Sequence, residues 1–219
     1  MFVIIVGCGR IGRRLALGLS EEGHNVTVIE KDKERLKSLG GGFNGIVIEG
    51  LGIDEETLIK AGIEQSDAFL AVSQEDNINM MAAQIAKKLF NVPKVIARNY
   101  KPELKGFYEK LGLEVICTSE STVETIKNKM LYADFEILSQ LMEERIIFIK
   151  MKADKKIEGI QIKELEEKEE IRIIQLKRDD SILCLKGNEV VEKDDLLIIS
   201  IAQEKLENFS QCYKKAVGE

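Results

Sequence analysis

The chain has a single histidine, His24, among its 219 residues, and that scarcity limits its chemistry first. A catalyst that uses imidazole as general base has one candidate only. The four cysteines, Cys8, Cys117, Cys184 and Cys212, stand far apart and form no CxxC, so no zinc cluster can be written and reduced thiols are expected. Long apolar runs are missing too. The longest uncharged stretch, residues 38–48, has 11 residues and four glycines, well short of the ~20 apolar residues that cross a bilayer. The opening MFVIIVGCGR has no basic region ahead of its apolar run and does not read as a signal peptide, so a cytoplasmic protein is expected. A basic excess is also absent. With 32 Lys and Arg against 38 Asp and Glu, a formal net charge of −6 and mixed signs, nucleic acid and anionic lipid are disfavoured as direct partners.

Core material is plentiful. Hydrophobic residues make up 44% and charged residues 32%, the balance of a globular chain, and the length suits one large domain or, as expected here, two unequal ones. Six short runs rich in Val and Ile, at 2–6, 26–30, 45–49, 67–72, 94–98 and 113–117, alternate with helical spacing at 11–22, 33–39, 55–61, 78–90 and 103–111. Parallel strands need crossovers, so the pattern predicts an α/β, Rossmann-like six-stranded parallel sheet with helices on both faces. Gly23, Gly40, Gly62 and Gly112 fall where the helices should stop.

After Cys117 the pattern changes. Residues 121–142 have the spacing of an amphipathic connecting helix or two, followed by strands at 146–151, 171–177, 182–185 and 196–201 and a closing helix at 204–214. The expected organisation is a nucleotide-binding domain at 1–120, a connecting helix at 121–142 and a smaller α+β C-terminal lobe at 143–219. No Pro/Gly/Ser linker separates them, and the acidic stretch 164–170 reads as a solvated helix end.

The strongest local signal is Gly7-Cys8-Gly9-Arg10-Ile11-Gly12, a GxGxxG directly after the first strand and opening the first helix. Gly7 permits the tight turn, Gly9 lets backbone approach a phosphate, and Gly12 lets the helix pack closely on the sheet. The N–H groups of the helix start then face an anion. Glu30 ends the second strand, 18 residues beyond Gly12, where a carboxylate can accept hydrogen bonds from ribose hydroxyls. An acid there repels a 2′-phosphate and no arginine follows at once, so NADP is disfavoured while NAD, ATP, ADP and AMP stay open. Arg10 either sets a guanidinium beside a terminal phosphate or a neighbouring subunit's ligand, or is an exposed first-turn residue. His24 lies at the amino end of the second strand, away from the carboxyl ends where such sheets bind ligands. No catalytic residue is assigned, and an NAD-dependent oxidoreductase is the alternative reading.

With these motifs the chain resembles the RCK (regulator of potassium conductance) proteins of the TrkA/KtrA type. The resemblance rests on VGCGRIGRRLA, Glu30, Ile48-Glu49-Gly50, Ala61-Gly62-Ile63, Ser66-Asp67-Ala68, Asp76-x-x-Asn79, Lys94-Val95-Ile96-Ala97-Arg98 and Leu111-Gly112. Gly159, Leu165, Ile173-Ile174, Arg178, Gly187 and Asp194-Asp195-Leu196-Leu197-Ile198 extend it more weakly into the C-terminal lobe. It implies a non-enzymatic, nucleotide-sensing subunit whose lobes pair through the helix after the sixth strand. They would assemble, as a homo- or hetero-oligomer, into an octameric gating ring on the inner face of the plasma membrane, under a membrane-embedded potassium transporter or channel. Carried over by position, Gly7, Gly9, Arg10, Ile11, Gly12, Glu30 and Lys31 would contact an adenine nucleotide (AMP, ADP, ATP or NAD), and Gly50, Leu51, Ser73 and Arg98 would line it. Glu120 is a candidate metal-binding or phosphate-proximal residue, or simply an acid at a helix start.

One departure stands out. The family often has Gly-Asp-Ala-Thr after the third strand, whereas this chain has Gly50-Leu51-Gly52-Ile53. Leu51 drops a polar contact and offers an apolar face to adenine, which implies altered preference, or a paralogous partner that carries the polar groups. Arg178 and Asn188 are the candidates for a second ligand in the C-terminal lobe, with an exposed-loop role preferred.

Overall fold

In the computed structural model, which describes residues 1–132, 134–141 and 145–213, Phe2–Val6 forms β1 near the centre of a six-stranded sheet. Its alternate side chains enter two separate cores, Ile4 and Val6 one, Val3 and Ile5 the other. A strand covered on both faces has no solvent side, which is why it reads as an unbroken apolar run. β2 (Asn25–Glu30), β3 (Ile46–Glu49), β4 (Ala68–Ala71), β5 (Lys94–Asn99) and β6 (Glu114–Cys117) complete an all-parallel sheet in the order β3-β2-β1-β4-β5-β6. The connections carry α1 (Arg10–Glu21), α2 (Lys33–Lys37), α3 (Glu55–Lys60), α4 (Asp76–Gln84) and α5 (Lys105–Lys110). Ala16 of α1 and Leu36 of α2 pack with Val3 and Ile5, whereas Leu58 of α3, Ala82 of α4 and Tyr108 of α5 pack on the opposite face. The expected alternation is observed, with most ends moved by a residue or two; α4 starts early, at Asp76, and runs on as a π-helix over Ile85–Leu89. The four helix-stop glycines all have positive φ.

The chain divides into two compact units, Met1–Val123 and Glu124–Glu219. The boundary falls within α6 (Thr118–Leu131), none of whose residues is buried. Here the connecting helix expected over 121–142 is corrected. The helix ends at Leu131, and Phe135–Leu141 is β7, paired antiparallel with β8 (Ile146–Lys152). Phe135 and Ile137 follow the strand period of two, and then a bulge inserts Leu138 and shifts the register. Apolar side chains consequently recur at 135, 138 and 141, which imitates a helix. Met142, where that helix was expected to end, and Lys214, the expected end of the closing helix, lie outside the described residues.

β9 (Arg172–Arg178), β10 (Ser181–Leu183) and β11 (Leu196–Ala202) complete a five-stranded antiparallel sheet in the order β10-β9-β11-β8-β7. α7 (Ile162–Glu169) and α8 (Leu206–Tyr213) supply Leu165 and Phe209 to its core beside Ile149 and Leu197. The acidic stretch thus belongs to α7, with Leu165 turned inward.

Arg178 is committed within this unit rather than held out for a ligand. Its Nε and Nη2 donate to the two carboxylate oxygens of Asp195 at 2.9 and 2.8 Å, Nη2 also donates to the Val190 carbonyl at 2.9 Å, and Nη1 pairs with Glu192. Asp195 is 1% exposed and accepts a further bond from the Glu192 N–H at 2.8 Å. Burial pushes its carboxyl up, but the Arg178 fork and that N–H outweigh burial, so it sits below its ordinary value. A folded-state pKa below the unfolded one contributes stability above the ordinary carboxylate range and loses it as pH falls through the lowered value. Arg178→Ala leaves a buried carboxylate unpaired and is expected to cost about 3 kcal/mol in chemical denaturation. Asp195→Asn is expected to flatten the acid limb of the stability profile; an unchanged limb would show that the pair does not set it.

Candidate functional site

β1 delivers the chain into Gly7, where φ is +101°. A Cβ at Gly7 would lie 2.6 Å from Ser73 Cα, and one at Gly12 would lie 1.8 Å from the Gly7 carbonyl oxygen. Both glycines are required by the chain's own packing. Gly9 differs: its φ of −76° and ψ of −167° suit any residue, and a Cβ there would meet nothing within 4 Å. It caps α1 without a side-chain hydrogen bond, although Ser, Asn or Asp would supply one. The space over Gly9 is therefore a cradle that a side chain would fill, and it fits a phosphate approaching the backbone at a helix start.

Glu30 is only 6% exposed. Its Oε2 accepts the Cys8 N–H at 2.8 Å and its Oε1 the Asp32 N–H at 3.1 Å. A carboxylate offers about four acceptor positions, so roughly half remain for ligand hydroxyls. The Cys8 thiol donates to the Arg35 carbonyl at 3.3 Å, and burial, then the Glu30 charge, pushes its pKa up, which keeps it protonated.

Beyond the carboxyl ends of the first four strands lies a crevice lined by Gly7, Glu30, Lys31, Gly50, Leu51 and Ser73. The sheet order reverses beside β1, so this is the switch point where such sheets take ligands. Ile29, Gly52, Glu75 and Ile78 also line it, which the motifs did not announce. Lys31 donates to Glu75 at 2.7 Å, bridging the end of β2 and the loop after β4, and that hydrogen bond raises the lysine pKa. Leu51 is exposed at the rim, and a Cβ on Gly52 would lie 2.2 Å from Val6 Cγ1, so the Leu51-Gly52 turn sits directly on the end of β1.

The remaining expected residues separate. Gly9 and Arg10 line a neighbouring hollow between α1 and α2. Gly12 packs behind the loop, and Ile11 is exposed and lines neither space. Arg98 stands outside the crevice and donates to the Ser73 carbonyl and Thr118 Oγ1, both at 3.3 Å. Glu120, in the first turn of α6, lies 3.9 Å from Lys105. Among the described residues no group of three His, Cys, Asp or Glu side chains could hold a metal ion, so a metal role for Glu120 has no cluster behind it.

Asn79 organises the floor of the crevice. Fully buried, it accepts the Ser73 N–H at 2.8 Å and donates to the Ser73 and Arg98 carbonyls, each at 3.0 Å. Asp76 accepts the Tyr100 N–H at 3.0 Å, so the Asp76-x-x-Asn79 landmark ties the ends of β4 and β5 together.

The TrkA-N domain model matches residues 3–119, from β1 into α6 and more than half of the chain. The chain belongs to the TrkA-N family. Over 138 residues it is 40% identical to the Trk system potassium uptake protein TrkA of Streptomyces coelicolor, covering 63% of this chain and 62% of that protein. Over 131 residues it is 31% identical to a TrkA homolog of Methanothermobacter thermautotrophicus, covering 60% of each. The match thus spans about three fifths of these relatives' length. The solved GsuK channel bound to NAD has the same fold, with a TM-score of 0.56 at 18% identity over 96% of this chain and 38% of that one. The Shewanella denitrificans Kef CTD in AMP-bound form shares the fold at a TM-score of 0.51 and 19% identity, over 60% and 81%. Among the described residues of this TrkA-N protein, no helix is long and apolar enough to cross a membrane.

For the TrkA-N unit, Asn79→Leu strands a buried N–H and part of two carbonyls and is expected to cost about 3 kcal/mol in urea unfolding. Gly12→Ala is expected to cost about 2 kcal/mol, because the added methyl must displace the Gly7 carbonyl. Wild-type midpoints for both would disprove this account of the loop.

Proposed function

We propose that the chain is a non-enzymatic regulatory subunit that binds an adenine nucleotide (AMP, ADP, ATP or NAD) and controls potassium flux through a membrane-embedded transporter or channel, which it meets at the cytoplasmic face. The observation that carries the nucleotide is Gly9. Packing accounts for Gly7 and Gly12, while the space over Gly9 is open at the start of α1, where a phosphate can approach the backbone. In this reading the phosphate sits over Gly9, ribose hydroxyls use the open acceptor positions of Glu30, and the base lies against Leu51 and Ile78. The potassium role is drawn from the TrkA relatives by name, and the nucleotide class from neighbours solved with NAD or AMP. Regulation in place of turnover agrees with the crevice's ionisable groups, since Glu30 holds two N–H groups and Lys31 is paired with Glu75.

Control of a partner requires that the nucleotide bind two states of the assembly with different affinity. The assembly itself is supported by α6. Val123, Ile126 and Met130 recur at helical spacing on one face and are exposed, the stripe that a second helix would cover in a homo- or hetero-oligomer of RCK lobes, in the proposed reading an octameric ring.

Isothermal titration of nucleotide-stripped protein tests the site: at least one of AMP, ADP, ATP and NAD is expected to bind, and silence from all four would sink the proposal. Gly9→Ser, which improves the helix cap, should leave the melting midpoint unchanged or raised while weakening binding by about tenfold or more. Ile126→Glu is expected to lower the mass of the assembly in light scattering, and an unaltered mass would remove α6 from the interface.

A further inference from the structure

We infer that the Lys31–Glu75 bridge is a latch across the crevice, which holds it shut and makes its affinity for a nucleoside rise with ionic strength. The inference rests on the nucleotide reading above and adds the regulation of that site. The crevice between Gly7, Glu30, Gly50 and Leu51 encloses only about 40 Å³, whereas sites for small organic ligands run from about 300 to 1,000 Å³. The hollow beside it encloses about 520 Å³. A nucleoside therefore reaches Glu30 and Ile78 only when part of the rim moves aside.

The rim is movable on one side. Glu75 stands on a braced loop: its N–H donates to Ser73 Oγ at 3.2 Å, Ser73 Oγ donates to the Glu75 carbonyl at 3.3 Å, and the Ser73 N–H donates to the fully buried Asn79. Across the mouth, Lys31 reaches over from the end of β2 on a flexible stem and is 58% exposed, and Leu51 at the rim is 46% exposed. Neither belongs to a core cluster, so each can swing outward without leaving a cavity behind. Glu75 is the fixed post and Lys31 the bar.

The 2.7 Å ion pair keeps the bar in place, and among the described residues neither partner has another. Salt screens an attraction between exposed charges, but it acts much less on the 6% exposed Glu30 carboxylate and its N–H partners. Added salt thus loosens the latch and spares the ribose end of the site. Only the open fraction of the protein binds, so the apparent affinity follows that fraction. An uncharged ligand isolates the effect, because salt does not screen its own attraction to the site.

Titration of the full chain with adenosine, which is uncharged, beside AMP, ADP, ATP and NAD tests the latch in wild type and Glu75→Gln. The substitution alters one exposed side chain and keeps the loop N–H, so a wild-type melting midpoint is expected. Glu75→Gln is expected to bind adenosine about threefold more tightly than wild type at ~0.1 M salt. The two proteins should converge at ~1 M, as the screening length falls from about 10 Å to about 3 Å. Equal adenosine affinities at the lower salt, a gap that added salt does not close, or nucleotide binding with no adenosine binding in either protein would overturn the latch while the nucleotide reading stands. If nothing binds either protein, the nucleotide reading fails and hydrogen exchange decides the rest: faster exchange over residues 73–78 in Glu75→Gln keeps the latch, and unchanged exchange removes it too.

Discussion

The buried Glu30 carboxylate is the constraint on which the ligand-facing end of the sheet depends. A charge that is 6% exposed must be met by donors, and the donors it finds are the N–H groups of Cys8 and Asp32. One side chain therefore ties the glycine loop after β1 to the chain leaving β2. The first tie holds Cys8 while Gly7 turns at positive φ and α1 starts at Arg10, which leaves the backbone at Gly9 uncovered. The second holds Asp32 where it caps α2, and that cap sets Arg35 opposite α1. One acid thus lines the crevice and holds the N–H of Cys8, which lines the hollow.

Much of this was legible in the residues. Doubly covered strands leave unbroken Val and Ile runs, so all six strands of the first sheet and their parallel sense could be read, though not their order, and six expected ligand residues do share one crevice. The failures have physical causes. A bulge at Leu138 turned a strand's period into a helix's, and nothing local marks a bulge in a chain of ordinary residues. Glu30 was legible as an acid at a strand end, but its commitment to backbone donors is tertiary. Arg13, Arg14 and Arg35 carried no assigned role in the sequence, and only the packing of α2 beside α1 brings them to one place. Arg178 was ambiguous for the same reason, because its partner Asp195 lies 17 residues away on the approach to β11.

The bonds around the crevice differ in kind, and that difference bears on how a ligand could act. Asn79 makes three hydrogen bonds with no exposure, so moving Ser73 away from the end of β5 strands several buried polar groups at about 1–3 kcal/mol each. The Lys31–Glu75 bridge above that floor is exposed on both sides, where solvent screens the attraction. An anion that draws Lys31 away from Glu75 thus meets little opposition, whereas the strand ends beneath it resist displacement. A soft rim thus stands on a stiff floor. In the proposed reading, coupling to a partner draws first on the rim and the helices that carry it, where displacement costs least.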